Sequence, residues 1–361
     1  MAERILVDFR GEDRKLKVES QLPIDDLSAI PTAVRRAEAL GFDGVIVPET
    51  SHNPFMALAL AAEHSTRLTL ATSVAQAFVR SPTTTAYAAF DLQRLSGGRF
   101  SLGLGSQVKG QIERRFGMPW TAPGPRMRDY ILAMRAVWAC WQERAPLDYR
   151  GTHYRLNVMT PNHRPSPLPD GVSRPPVSLA AVLPYMTQLT GEICEGVRLH
   201  SFSTERYVKN VTLPNLTKGA ARTGRSLDGF DISGGGMIAT GPTREAVAKA
   251  IEQVRWSVAF YGSTRTYTTV WAQHGWEETG LKLHELSVTN GWDRMPGLIT
   301  DEMVRTFAAV GTYEEIGDKI LERFGGFATS VVLPLPAPDH EKLLLPSLRR
   351  VQAVKPTRLT A

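Results

Sequence analysis

One stretch of this chain, Arg67–Gln107, restricts the fold more than any other: RLTLATSVAQAFVRSPTTTAYAAFDLQRLSGGRFSLGLGSQ. Residues 67–74 are mostly β-branched or small and apolar, which reads as a buried strand. Ser81-Pro82 reads as a helix start. A serine hydroxyl caps orphan N–H groups, and a proline at the first helical position has no N–H to leave unpaired. The helix runs from Pro82 to about Leu95, with Ala86, Ala89, Phe90 and Leu95 at helical spacing, and Ser96-Gly97-Gly98 stops it. A second strand spans Arg99–Ser106. Strand, helix and strand joined by short links form a βαβ unit, with parallel pairing and a right-handed crossover. The glycines of GLG fall at the carboxyl end of the second strand, where parallel α/β folds bind ligands.

The same alternation extends in both directions. Before the unit, the pattern gives a first strand at Arg4–Arg10, a polar excursion to Glu19, and a helix from Asp25 or Ser28 to Leu40 capped by Gly41. A strand at Gly44–Glu49, a loop with Thr50, Ser51 and His52, and a helix from about Pro54 to His64 follow. After it come a Gly- and Pro-broken loop, an amphipathic helix over Pro125–Glu143, a hairpin turning at Arg150-Gly151, and a proline-rich segment from Met159 to Pro176. That segment reads as an excursion over a barrel mouth or as a lid. Further strands are expected at Val177–Ala181, Val197–Ser201, Asp231–Ala239 (interrupted by glycines) and Ser330–Leu335. Helices are expected from Pro184, up to Arg222, over Thr243–Ala259 and Tyr313–Phe324, and at the C-terminus. Residues 260–311 read as inserted helices and loops. Eight strands alternating with helices predict an α/β protein of the (β/α)8 TIM-barrel class. It is expected to form a single domain over 1–361, with excursions at about 108–125, 150–176 and 260–311. A doubly wound open sheet is the other fold compatible with the pattern.

Several chemistries drop out. The eight histidines are scattered with no HxH or HExxH, so no metal site is expected. There is no P-loop and no GxSxG. Cys140 and Cys194 are the only cysteines, which argues against a disulfide framework. The net charge of +6 favours anionic partners, but the basic residues are spread along the chain and no nucleic-acid-binding motif appears. No apolar run is long enough to span a bilayer, so no membrane partner is expected. The N-terminus, MAERILVDFRGEDRK, lacks a signal-peptide apolar core, and the chain reads as cytoplasmic. GLGSQV has two of the three Rossmann glycines and follows the wrong strand. It reads either as backbone that lets a ligand approach closely or as tight strand packing.

The words AEALGFDGVIVPET (37–50), LATSVAQAFVRSP (70–82), DLQRLSGGRFSLGLGSQ (91–107) and AAVLPYMTQLTGEICEGV (180–197), with AFYGST later, follow one another as in a known family. The chain resembles the bacterial luciferase-like monooxygenases, and especially the branch that uses the deazaflavin coenzyme F420. That resemblance implies a (β/α)8 barrel with an excursion over its mouth and a flavin or deazaflavin ring at the carboxyl ends of the strands. It implies a non-prolyl cis peptide at Ser73-Val74, against the central ring. Gly105, Ser106, Gln107 and Val108 match the loop at the polar edge of the ring, with Gln107 where some relatives carry a carboxylate. Val182, Leu183, Pro184, Tyr185 and Met186 match the turn that brings helix N-terminal N–H groups to the cofactor phosphate, with Leu183 where many relatives have glycine. Glu49 and Thr50 stand where relatives often have an acid and a histidine, and His52 is placed to replace the latter. The resemblance makes Glu49, His52 and Gln107 the candidate catalytic residues, although a structural hydrogen bond is an equal reading of Glu49 and a cap or surface role a reading of His52.

Arg80, Lys109, Arg114 and Arg115 flank the two loops as cations suited to an anionic cofactor tail. His200 is placed to meet the cofactor tail or the substrate, or to pack inside the barrel. Tyr261, Ser263 and Thr264 are placed near the mouth by the resemblance alone, and Trp120, Trp271, Trp276 and Trp292 read as cavity walls or core. The implied activity is hydride transfer between F420 and an organic small molecule, by a homodimer. The alternatives are an FMN-dependent monooxygenase of the same family and a non-catalytic barrel with a degraded cofactor site.

Overall fold

The structure is a computed structural model and describes residues 15–356, except 24 and 235. The strand expected at Arg4–Arg10 lies outside the described residues. Among the described residues eight strands form the barrel: β1 (Lys17–Gln21), β2 (Gly44–Val47), β3 (Thr69–Thr72), β4 (Phe100–Gly105), β5 (Val177–Ala180), β6 (Gly196–Arg198), β7 (Asp231–Gly234) and β8 (Ser330–Val332), with a two-residue strand, Ala75–Gln76, beside β4. Their hydrogen-bonded order is β3-β2-β1-β8-β7-β6-β5-β4, and β4 pairs also with β3. The fold is the (β/α)8 barrel that the alternation predicts. By their internal packing the described residues divide into two compact units: residues 21–180 with 193–196, and the rest.

In the first unit the pairing is parallel, with Gly44 opposite Thr69, Leu70 opposite Phe100, and Leu102 opposite Val177. Local chemistry sets the helix ends. Gly41 ends α1 (Ile30–Leu40) at φ 91°, and the Asn53 side chain accepts the Phe55 N–H at the start of α2 (Pro54–Glu63). Ser81 Oγ accepts the Thr84 N–H, so α3 (Pro82–Leu95) begins and ends where the sequence reading puts it. A helix expected to be loop, α4 (Lys109–Arg114), precedes α5 (Pro123–Gln142). The two long helices are locked by α5's buried tryptophans. Trp138 donates its indole N–H to the Ala86 carbonyl at 3.1 Å, and Trp141 meets Phe90 edge-on at 5.3 Å. The hairpin forms as expected, with Tyr149 opposite Leu156. The proline-rich segment is tied to α3 rather than standing free. Gln93 Nε2 donates to the Ser173 carbonyl and Arg94 to that of Pro167, both at 2.8 Å, and the Tyr87 hydroxyl donates to that of His163.

In the second unit β1 runs parallel to β8, with Lys17 opposite Ser330, and β7 places Ser233 opposite the same residue. The expected polar excursion to Glu19 is therefore corrected: its last residues are strand. The misreading has a physical cause, because Val18, Glu19 and Ser20 are all buried, so the alternation of apolar and polar residues that marks an ordinary strand is missing. The seventh strand is also shorter than expected. Met237–Gly241 leaves it to pair, in parallel, with Ala308–Thr312, a strand inside the segment expected to be helix and loop. The helix expected up to Arg222 breaks into a turn, a π-helical stretch at Val208–Thr212 and a helix from Leu213, where Pro214 removes a ladder N–H. An aromatic core holds this unit together: Phe202 stacks on Phe307 at 4.4 Å, and Trp271 meets Phe202 edge-on at 5.1 Å. Trp271 donates to the Gly262 carbonyl at 3.0 Å, so it belongs to the core and not to a cavity wall.

Candidate active site

The mouth residues of the first unit gather at the ends of β2, β3 and β4. The Ser73-Val74 peptide is cis, as the family resemblance implies. The bond is held on both sides by the end of β2: the Ser73 N–H donates to the Val47 carbonyl at 2.8 Å, and the Glu49 N–H to the Val74 carbonyl at 3.3 Å. The glycines of β4 make room for this bulge. A Cβ at Gly103 would overlap the Thr72 carbonyl, and one at Gly105 would come within 2.7 Å of Val74 Cγ2. Thr72 Oγ1 completes the seam, donating to the Gly103 carbonyl and accepting its N–H at 2.7 and 2.8 Å. Both readings of GLG are thus realised, tight packing at Gly103 and a backbone cleared for Val74 at Gly105.

Past Gly105 the chain turns through Gln107 at φ 58°. Of the three non-glycine residues with positive φ among those described, Arg144 and Asn290 lie just beyond helix C-termini, where this conformation is an ordinary stop. Gln107 stands instead between a barrel strand and a short helix, the placement that marks functional loops. It is exposed. Its Oε1 accepts the Val108 N–H at 3.0 Å, and its Nε2 makes no hydrogen bond among the described residues. Ser106 Oγ donates to the Gln107 carbonyl at 3.3 Å.

Glu49 is fully engaged. Its Oε2 accepts the Gln76 N–H at 2.7 Å and one Arg80 nitrogen at 2.8 Å, its Oε1 accepts the other, and its carbonyl accepts Gln76 Nε2 at 3.0 Å. Both side chains of the ion pair are largely buried, at 15% exposure for Arg80 and 8% for Glu49. Arg80 is therefore committed to Glu49. Arg115 donates to the Thr50 carbonyl at 2.6 Å and ties the β2 loop to the segment after α4. His52 Nε2 lies 3.3 Å from the Asp25 carbonyl, a contact at the outer end of this loop. Lys109 is exposed, 3.9 Å from Glu113.

The second unit holds the other half of the expected set. Val182 and Leu183 follow β5 and lead into α6 (Pro184–Ile193), which opens with a proline. The Val182 carbonyl accepts the Tyr207 hydroxyl at 2.9 Å, and the Leu183 carbonyl accepts both the N–H and the hydroxyl of Thr187 at 3.0 Å. The turn is thus pinned at two successive carbonyls, and the first-turn N–H groups of Tyr185 and Met186 belong to the N-terminal end of α6, toward which helical N–H groups point. Tyr185 is half exposed.

His200, just past β6, accepts the Phe202 N–H on Nδ1 at 3.0 Å, so the neutral ring carries its proton on Nε2. The rings of Tyr261 and Tyr267 lie 5.0 and 4.8 Å away. This setting strips water from the imidazole and pushes its pKa down to about 4. Burial likewise pushes the Tyr267 phenol up to about 12. Tyr207 and Tyr267 were not singled out by sequence reasoning, since both lie in segments without a clean helical or strand period. Ser263 and Thr264 cap the end of the helix Arg244–Gly262, through Ser263 N–H to Ala259 and Thr264 N–H to Tyr261.

A parallel (β/α)8 barrel is a fold that carries its ligand sites at the carboxyl ends of its strands. The chain belongs to the luciferase-like monooxygenase family, whose profile matches residues 9–330. It is 41% identical over 322 residues to an uncharacterized protein of Mycobacterium bovis, covering 89% of this chain and 94% of that protein. It is 27% identical to a 5,10-methylenetetrahydromethanopterin reductase of Archaeoglobus fulgidus, covering 86% and 90%. The solved coenzyme F420 dependent tetrahydromethanopterin reductase from Methanopyrus kandleri superimposes with a TM-score of 0.77 at 24% identity, covering 94% of this chain and all of that one. Membership supports an oxidoreductase as the coarse function. No helix among the described residues is long and apolar enough to cross a membrane.

Proposed function

We propose that the protein is an F420-dependent oxidoreductase that moves a hydride between the deazaflavin and an organic small molecule. The observation that carries this reading is the built seam at the ends of β3 and β4, where Gly105 clears Val74 and Gln107 is held left-handed beyond it. A relative of Mycobacterium tuberculosis named as a putative coenzyme F420-dependent oxidoreductase, 30% identical over 300 residues, supports the same cofactor. The residues fit it. Val74 would back the ring, and the unengaged amide N–H pair of Gln107 would serve a ring carbonyl or ring nitrogen. The N-terminus of α6 suits a phosphate. When bound, the deazaflavin supplies the hydride chemistry, and the protein supplies orientation and exclusion of water.

Glu49 then acts as a positioning residue: its carboxylate and carbonyl hold Gln76 and Arg80, just beyond the bulge. His52, at the outer end of the β2 loop, is the remaining proton carrier of the candidate set. His200, neutral at pH 7, offers an Nε2–H donor toward substrate. A second copy of the chain belongs to the same proposal and is checked by light scattering of the purified protein.

The test is a pair of fluorescence titrations, with F420 and with FMN. Tight F420 quenching with weak FMN quenching is the expected result. The family profile, named for monooxygenases, favours the FMN-dependent oxygenase as the second reading. The reverse preference, with oxygen consumption once reduced FMN is supplied, would replace the first reading by the second. Binding of neither would leave a non-catalytic barrel.

A further inference from the structure

The second unit contains a cavity of about 610 Å³ that uses none of the residues of the candidate active site and has Trp276, a cavity-wall candidate of the sequence, in its lining. Its walls come from the segment after β6, from the turn around His274, and from residues 302–310 and 319–323.

Charge is distributed unevenly in it. Arg323 is a wall residue only 8% exposed. Two of its nitrogens donate to the carbonyls of Ser203, at 2.6 Å, and Thr306, and its Nε has no partner. No carboxylate pairs with it among the described residues. Burial pulls the guanidinium down to about 10, with Glu205 pulling weakly back. Two more arginines, Arg206 and Arg305, line the cavity and make no ion pair among the described residues.

The carboxylates of the lining do not cancel this charge. Glu322 is taken by Lys319 at 2.8 Å and Glu205 by Lys209 at 2.5 Å, which leaves Glu302. His274 registers the resulting field: desolvation and then Arg206 and Arg323 hold its imidazole below the usual histidine range. It bonds Thr204 Oγ1 through Nε2 at 2.8 Å and lies flat against Trp276, with ring centroids 4.8 Å apart.

A buried cation without a counter-ion is costly to keep in place unless something else compensates it. We propose that this cavity is a binding site for an anionic small molecule, a phosphate ester or carboxylate. Arg206 and Arg305 close on the anion over the Arg323 charge. Guanidinium groups suit either anion through paired N–H donors.

Isothermal titration of the full chain with inorganic pyrophosphate tests this. The wild type is expected to bind it saturably at one site. The double variant Arg206→Gln/Arg305→Gln changes two exposed side chains and is expected to fold and to bind at least about tenfold more weakly. Absence of a saturable signal, or equal binding by the double variant, would overturn the site. Repeating the F420 titration with pyrophosphate present identifies the anion's source. Competition assigns it to the anionic arm of the cofactor and independence to a separate metabolite, and both outcomes support the site. Because the first titration contains no cofactor, this inference stands or falls separately from the choice of F420.

Discussion

Two buried arginines of the second unit have opposite electrostatic fates. Arg198, on β6, places its guanidinium 2.8 Å from Glu19 of β1 and 3.1 Å from Ser233 of β7, with both partners of the ion pair about 5% exposed. Burial alone would lower its pKa, yet Glu19 and Asp231 outweigh that and hold it above the ordinary arginine value. Arg323 is nearly as buried, but its hydrogen bonds go to carbonyls and Glu205 pulls only weakly against burial, so its pKa falls. Each leaves its Nε without a partner, but the first is paired with a carboxylate and the second is not. Burial of an arginine therefore says little about its role until its counter-charge is found.

The largest effect should come from making Arg198 resemble Arg323. Glu19→Gln leaves a buried cation without its carboxylate and is expected to cost about 3–5 kcal/mol in urea unfolding. A loss under about 1 kcal/mol would mean that water or a rearranged neighbour compensates Arg198, and the contrast would collapse.

His200 supplies a second desolvated basic group in the same unit. Its pKa is lowered on folding, to about 4 from an unfolded value near 6.5, so the native state binds fewer protons in that window. Its contribution to stability is fully present above the unfolded pKa and is lost as pH falls toward 4. The loss is up to about 3 kcal/mol. Unfolding measured from pH 7 to pH 4 should show this slope, and His200→Asn should flatten it.

Arg323→Met sharpens the comparison from the other side. It removes two carbonyl partners' donors but also an uncompensated charge, so its cost should stay near 1–2 kcal/mol, well below that of Glu19→Gln. A cost as large as that of the closed pair would place Arg323 among the structural ions.

The smallest effect belongs to the first unit. Gln107→Gly relieves a left-handed non-glycine residue and should raise stability by up to about 1 kcal/mol. It should also weaken F420 binding, because the amide is lost. Unchanged cofactor affinity would remove Gln107 from the site.

The legible part of the fold was the part that local chemistry decides. α3 was read to the residue because Ser81, Pro82 and the pair Gly97-Gly98 act within their own turn. The βαβ pattern placed the glycines of β4, the position of the bulge came through the family resemblance, and the structure supplies their reason in the contacts of Thr72 and Val74. The role of Glu49 stayed divided between catalysis and structure in the sequence, because nothing local reveals that Gln76 and Arg80, about 30 residues on, take up its oxygens.

By itself, then, the sequence determined the βα alternation, the helix ends and the strand carrying GLG, all set by backbone propensity, capping and periodicity over a few residues. The tertiary structure alone decided which polar residues are buried and with whom. Glu19 meets Arg198 across 179 positions, and Met237–Gly241 finds its partner strand at Ala308–Thr312. Arg323 shares its cavity with residues near 204, 274 and 305. Such contacts depend on chain ends brought together by folding, and no local pattern encodes them, because burial of a charge is favourable only once its distant neighbours are in place.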